Sequence, residues 1–134
     1  MDPVDKLAVA KHLADRPKEA PEEACRRSAC SRAYYAAFLV ARAALRGAKL
    51  TPPRDKVHSW VIRALKSSAN ADVKKLGGSL ETVRDWRNKA DYDLSQAWPT
   101  FPYDMAVKSA ETIIAELVAL QGSAPRLGIP ASFK

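Results

Sequence analysis

Apolar residues recur along this chain at spacings of three and four, and that period predicts helix over most of its length. Leu7, Ala10 and Ala14 mark a first helix over about Val4–Asp15, ended by Arg16-Pro17 because proline disfavours helical backbone in the residue before it. A long second helix starts near Pro21, carries Glu22 and Glu23 where the helix dipole favours acids, and stops at Gly47. After the rigid Thr51-Pro52-Pro53 connection, Val57, Val61 and Leu65 predict a third over Asp55–Ser67. The fourth is expected over Ala71–Asp93, with Leu76, Leu80, Val83, Trp86 and Ala90 inward and Gly77-Gly78 as a place for a break or kink. Pro99 and Pro102 lead to a fifth over Tyr103–Gln121, where Ala106, Ala110, Ile113, Leu117 and Leu120 form an amphipathic stripe. No strand pattern and no internal repeat is present. The expectation is an all-α, antiparallel bundle of about five helices occupying 1–121, followed by a Pro- and Gly-rich tail over 122–134 with little order of its own.

The second helix is informative face by face. At about 100° per residue, Tyr34, Phe38, Ala41 and Leu45 share one narrow side. Ala29, Ala33, Ala36, Val40 and Ala44 line an adjoining side of small residues that lets neighbouring backbones approach, so this helix belongs at the centre of the bundle. The remaining face carries Arg32, Tyr35, Leu39, Arg42 and Arg46. That mixture suits a partner or dimer surface, and equally a rim of snorkelling arginines.

Charge changes the picture further. Of the net +7, residues 24–76 hold twelve basic and two acidic side chains, whereas 1–23 hold four and six and 77–134 hold six and seven. A basic middle flanked by mildly acidic ends suits a polyanion such as RNA, or an acidic protein. A chain of 134 residues buries roughly two-thirds of its unfolded surface, so it needs no disulfide or metal staple. Cys25 and Cys30, five apart on one helix, point to different faces, and with His12 and His58 they form no pair with metal-ligand spacing. Neither a metal nor a cofactor is expected. No apolar run reaches the ~20 residues of a membrane span, and Met1-Asp2-Pro3-Val4-Asp5 lacks the basic start of a signal peptide, so a cytoplasmic protein with no membrane contact is expected.

Three stretches carry a family resemblance. Ser31-Arg32-Ala33-Tyr34-Tyr35-Ala36-Ala37-Phe38 resembles the S-R-A-Y-Y-A-A-F signature of one branch of HEPN domains. His58 stands where that branch commonly has a histidine opening the next helix. Arg84-Asp85-Trp86-Arg87-Asn88-Lys89-Ala90-Asp91-Tyr92-Asp93 is similar to its R-x-K-A-D-Y element. Order and spacing agree over about residues 4–120. The resemblance implies a helical bundle, commonly a homodimer, in prokaryotic toxin–antitoxin or defence systems, often paired with a small nucleotidyltransferase antitoxin. It also implies a site at the end of the fourth helix. Catalytic members are metal-independent ribonucleases with an arginine, often followed by asparagine, and a histidine about five residues on.

Arg87 and Asn88 match the start of that catalytic motif, but Tyr92 stands where the histidine would be. Metal-free RNA cleavage needs one group to deprotonate the 2′-hydroxyl and another to protonate the leaving oxygen. An imidazole with a pKa of about 6.5 suits both, whereas a phenol near 10 is a poor base at neutral pH. The departure argues for binding of RNA or of a nucleotidyltransferase rather than cleavage. The enzymatic alternative is a ribonuclease using Arg87 with Asp91, Tyr92 or His58. Arg84, Arg87 and Asn88 are the candidate phosphate contacts; Arg32, Tyr35, Arg42 and Arg46 are the candidate partner or dimer face. Each has a purely structural account as well. Arg87 and Asp91, four apart, suit an intrahelical salt bridge, as do Asp85 and Lys89; Tyr92 could close a hydrophobic layer and His58 could cap or pack its helix.

Overall fold

A computed structural model describes residues 2–15, 22–92, 103–120 and 127–134 of the chain. The described residues form five helices and no strand: α1 (Pro3–Asp15), α2 (Glu22–Gly47), α3 (Val57–Lys66), α4 (Ala71–Tyr92) and α5 (Tyr103–Ala119). All five expected helices are present, with ends differing by one or two residues. None is long and apolar enough to cross a membrane.

α2 is the axis of the bundle and packs against each of the other four helices. Its small-residue face explains why: Ala29, Ala33, Ala36, Ala37 and Ala41 have no exposed surface, so neighbouring backbones close on them. Leu7 and Ala10 bring α1 onto it, while Ala106, Ala110, Ile113 and Leu117 bring α5. Val61, Ala64 and Leu65 of α3 and Val73, Leu76, Leu80 and Val83 of α4 complete one continuous core. Trp86 only borders that core. Cys25 and Cys30 are buried free thiols, and burial, with the Asp91 charge nearby, pushes the Cys30 thiol up to about 12.

Three local features differ from expectation. α2 does end at Gly47, but the left-handed residue that closes it is Lys49, at φ 69°. Leu50 N–H bonds back to Leu45 and Lys49 N–H to Arg46, the hydrogen-bond pair of a Schellman closure. Gly77-Gly78 neither breaks nor ends α4, which runs unbroken through both. A Cβ on Gly77 would lie 2.8 Å from Lys66 Cγ and 2.9 Å from the Lys66 backbone nitrogen, so this glycine exists to let α3 lie against α4.

The third difference concerns the loose tail expected after Gly122. Residues 121–126 lie outside the described ones, but 127–134 are tied down. Leu127 is buried in the core, and its carbonyl accepts a hydrogen bond from Ser68 Oγ. Ala69 N–H bonds to the Gly128 carbonyl at 2.9 Å, Gly128 adopts φ 63°, and Phe133 packs on Trp60. Ser68 Oγ also accepts from Asn70 N–H, while Asn70 Oδ1 caps the first turn of α4 at Asp72 N–H, 2.9 Å away. The α3–α4 turn and the returning segment are thus one hydrogen-bonded unit, which Pro and Gly content alone conceals.

Candidate functional site

Several of the residues singled out by sequence converge where α2, α3 and α4 meet. α2 contributes Ser31, Tyr34, Tyr35, Phe38 and Arg42. α3 opens, after Lys56 in a left-handed conformation, with Val57 and His58. From α4 come Arg84, Arg87, Asn88 and Asp91.

Tyr34 is wholly buried, and a buried phenol needs a partner for its hydroxyl. It finds His58 Nδ1 at 2.6 Å. The imidazole also stacks on Phe38, with centroids 4.0 Å apart and planes at 26°, and meets the edge of Tyr35. Burial first, then the charges of Arg84, Arg87 and Arg42, hold the His58 pKa below its ordinary value. His58 is therefore neutral at pH 7. With Tyr34 donating to Nδ1, the proton of the ring sits on Nε2; the phenol is the better donor of the two groups, which favours this tautomer. Burial likewise raises the Tyr34 pKa, outweighing the opposing pull of Arg84 and Arg87, so the phenol stays protonated.

Arg87 is held on every side. Its Nη1 donates to Asn88 Oδ1 at 2.9 Å and its Nη2 to Tyr35 Oη at 3.3 Å. Its Nε lies 3.2 Å from Asp91 Oδ2, an ion-pair distance whose angle falls short of a hydrogen bond. The guanidinium also lies 5.2 Å from the Tyr35 ring centre and 5.7 Å from that of Tyr34, within cation–π range. Asp91 Oδ2 in turn accepts from Ser31 Oγ at 3.2 Å. The salt bridge read from the i, i+4 spacing is thus formed, and through Ser31 it joins the α2 signature to the α4 signature.

Arg84 differs. Its Nε is buried without a hydrogen-bond acceptor among the described residues. Its charge nevertheless reaches both His58 and Tyr34. Arg42 lies with its guanidinium 5.5 Å from the Phe38 ring centre of the same aromatic cluster. The arginine-bearing face of α2 therefore divides. Arg42 and Tyr35 turn toward His58, whereas Arg32 and Arg46 stay in solvent. Tyr92 is the last residue of α4, and its side chain lies outside the described residues.

Two participants went unread in the sequence. Tyr34 looked like a core residue because it shares a stripe with Phe38, Ala41 and Leu45; the need of its hydroxyl for a partner was the available signal. Arg27 is buried, and its Nη1 donates to the Ala90 carbonyl at 2.9 Å and the Lys89 carbonyl at 3.2 Å, clamping the last turns of α4 onto α2. It falls on the stripe 27, 30, 34, 38, and an arginine in a buried stripe is itself a sign that carbonyls await it.

This arrangement can stack a base against Tyr35, hold an anion between arginines, and offer a neutral imidazole beside them. The family model described as HEPN domain matches residues 7–120 of the chain. No curated protein and no solved structure gives a match.

Proposed function

This chain belongs to the HEPN domain family, and on that footing we propose that it is an RNA-binding module of a toxin–antitoxin or defence system. The supporting observation is Arg84, a guanidinium with a buried Nε that lacks an acceptor among the described residues, set beside a neutral histidine and a half-buried tyrosine. Arginines supply the phosphate contact, and an aromatic face supplies sequence-tolerant stacking of an unpaired base. Arg42 lies over the Phe38 ring of the same cluster. Arg87 serves this reading as a support, since its Nη1 and Nη2 already donate to Asn88 and Tyr35 and its Nε pairs with Asp91. Assembly as a homodimer, and pairing with a nucleotidyltransferase antitoxin, belong to the same proposal.

The test is binding of single-stranded RNA, followed by fluorescence anisotropy over a range of salt. Arg84→Ala is expected to weaken binding about tenfold or more, consistent with loss of a charge-assisted phosphate contact. Equal affinity of wild type and Arg84→Ala would remove this site from RNA recognition.

A second reading, a metal-independent ribonuclease, is favoured by one observation: His58 is a neutral imidazole oriented by Tyr34, close to the rings under Arg87. It would supply the base that the sequence lacks five residues after Arg87 in the other tautomer, in which Nδ1–H donates to the Tyr34 hydroxyl and Nε2 is left free to accept a proton. Asp91, already engaged by Arg87 and Ser31, is the weaker candidate. Cleavage of a mixed RNA pool in the presence of a chelator, abolished by His58→Ala, would establish this reading. Intact RNA after incubation with wild type would leave binding alone.

A further inference from the structure

Between α3 and α4 lies a cavity of about 320 Å³ that Arg84 also borders. Three cations border it, Arg63, Lys66 and Arg84, with Glu81 as its one carboxylate. Glu81 is already engaged, 3.0 Å from Lys66 Nζ. The hydroxyls of Ser59 and Ser67 at the rim spend their protons on the carbonyls of Lys56 and Ala64. What the cavity offers a ligand is therefore cationic donors, with a net lining charge of +2 from three cations and one carboxylate.

Two further observations indicate a built site. Arg84 lines the cavity, and with its buried Nε–H already assigned to the phosphate beside His58, the rest of its guanidinium fork is what it has left for a ligand here. Arg63 is held over the Phe133 ring, 5.8 Å from its centre, by the same C-terminal segment that anchors at Ser68. Arg84 is also common to both places: it borders the cavity, and its charge acts on His58 and Tyr34.

We propose that this cavity takes a second phosphate of the same RNA strand, the neighbour of the one held beside His58, with Arg84 between the two. The inference rests on the RNA-binding reading above and extends it from one phosphate to a path. The volume is at the low end of the roughly 300–1,000 Å³ of small-ligand sites, enough for a phosphate and its sugar and too small for a duplex. The stacking face of Tyr35 takes unpaired bases, so the strand proposed is a single one. Phosphate entry would draw Lys66 away from Glu81, an exposed pair with little to lose.

The experiment is the salt dependence of oligouridylate binding, because each phosphate contact on a single strand adds about 0.7 to the slope of log affinity against log salt. Arg63→Ala/Lys66→Ala is expected to lower the slope by about 0.7 and to weaken binding about five- to tenfold at low salt. Both side chains are exposed, so the fold survives, as far-UV circular dichroism would verify. Lys74→Ala, an exposed lysine of α4 that does not line the cavity, is expected to leave the slope unchanged. A slope unaltered in the double variant, with binding still weakened by Arg42→Ala, would overturn the second phosphate site and leave RNA binding standing. The same loss from Lys74→Ala would reduce the effect to general charge and overturn it too. A wild type that binds no oligouridylate would end both proposals together.

Discussion

Two ion pairs in this molecule have similar chemistry and opposite settings. On one edge, Lys11 of α1 meets Glu111 of α5, with side chains 46% and 43% exposed. At the corner of α2, α3 and α4, Arg87 meets Asp91 with side chains 14% and 29% exposed. The first sits in water, where attraction is screened and two flexible side chains must be ordered to form it. The second is one strand of a web that includes Ser31, Tyr34, Tyr35 and Asn88, part-buried on the arginine side and open to solvent at Asp91. The difference teaches that charge complementarity at the edge ornaments the fold, whereas at the corner it fixes which way the aromatic cluster faces.

The largest expected effect comes from cutting that web. Arg87→Ala is expected to lower unfolding free energy by roughly 2–3 kcal/mol, because the cation over the Tyr34 and Tyr35 rings and the part-buried bonds to Asn88 and the Tyr35 hydroxyl are lost together, while Asp91 is exposed enough to be rehydrated. Urea denaturation with an unchanged m-value is the measurement; a loss below about 1 kcal/mol would put the corner on a par with the edge. Next, Gly77→Ala should cost about 2 kcal/mol, since its Cβ meets the Lys66 backbone nitrogen and overrides the better helix propensity of alanine. Gly78→Ala, with nothing within 4 Å, should instead stabilise by up to about 1 kcal/mol, and thermal unfolding of the pair separates packing from propensity.

A single titrating group does less. The folded-state pKa of His58 lies below its unfolded value, so between the two the unfolded chain binds more protons than the native one. Stability contributed by the neutral imidazole is present above about pH 6.5 and is lost as pH falls through the folded value. His58→Gln should flatten that part of the profile; an identical slope in the variant would assign it to other groups. The smallest effect belongs to the edge: Lys11→Ala should change stability by about 0.5 kcal/mol or less.

Helix existence and the inward faces were legible because both depend on a local period. Leu76, Leu80, Val83 and Ala90 show it plainly, and each is buried as expected. The Arg87–Asp91 pair was legible for the same reason, being one helical turn apart. What could not be read was distance across helices. Nothing local says that the Tyr34 hydroxyl reaches His58, or that Arg27 closes the end of α4; these contacts span 24 and 63 positions. The Gly-Gly step misled because a glycine in a helix signals either a weak point or a close neighbour, and the neighbour lies on another helix. The C-terminal segment misled in a similar way, for its anchors are scattered: buried Leu127, Phe133 on Trp60, and hydrogen bonds from Ser68 Oγ and Ala69 N–H to its carbonyls.

Gly77 acts as a fulcrum. It bears the C-terminal end of α3 at Leu65 and Lys66, and His58 sits eight residues earlier on the same short rod, about 12 Å along its axis. A wedge under one end tilts the other, and a tilt moving the imidazole by about 1 Å is enough to spoil its register with Tyr34 and Arg84. A genetic screen for loss of the proposed RNA binding should therefore return substitutions at Gly77 alongside those at Arg84, although that position has no side chain to offer a ligand.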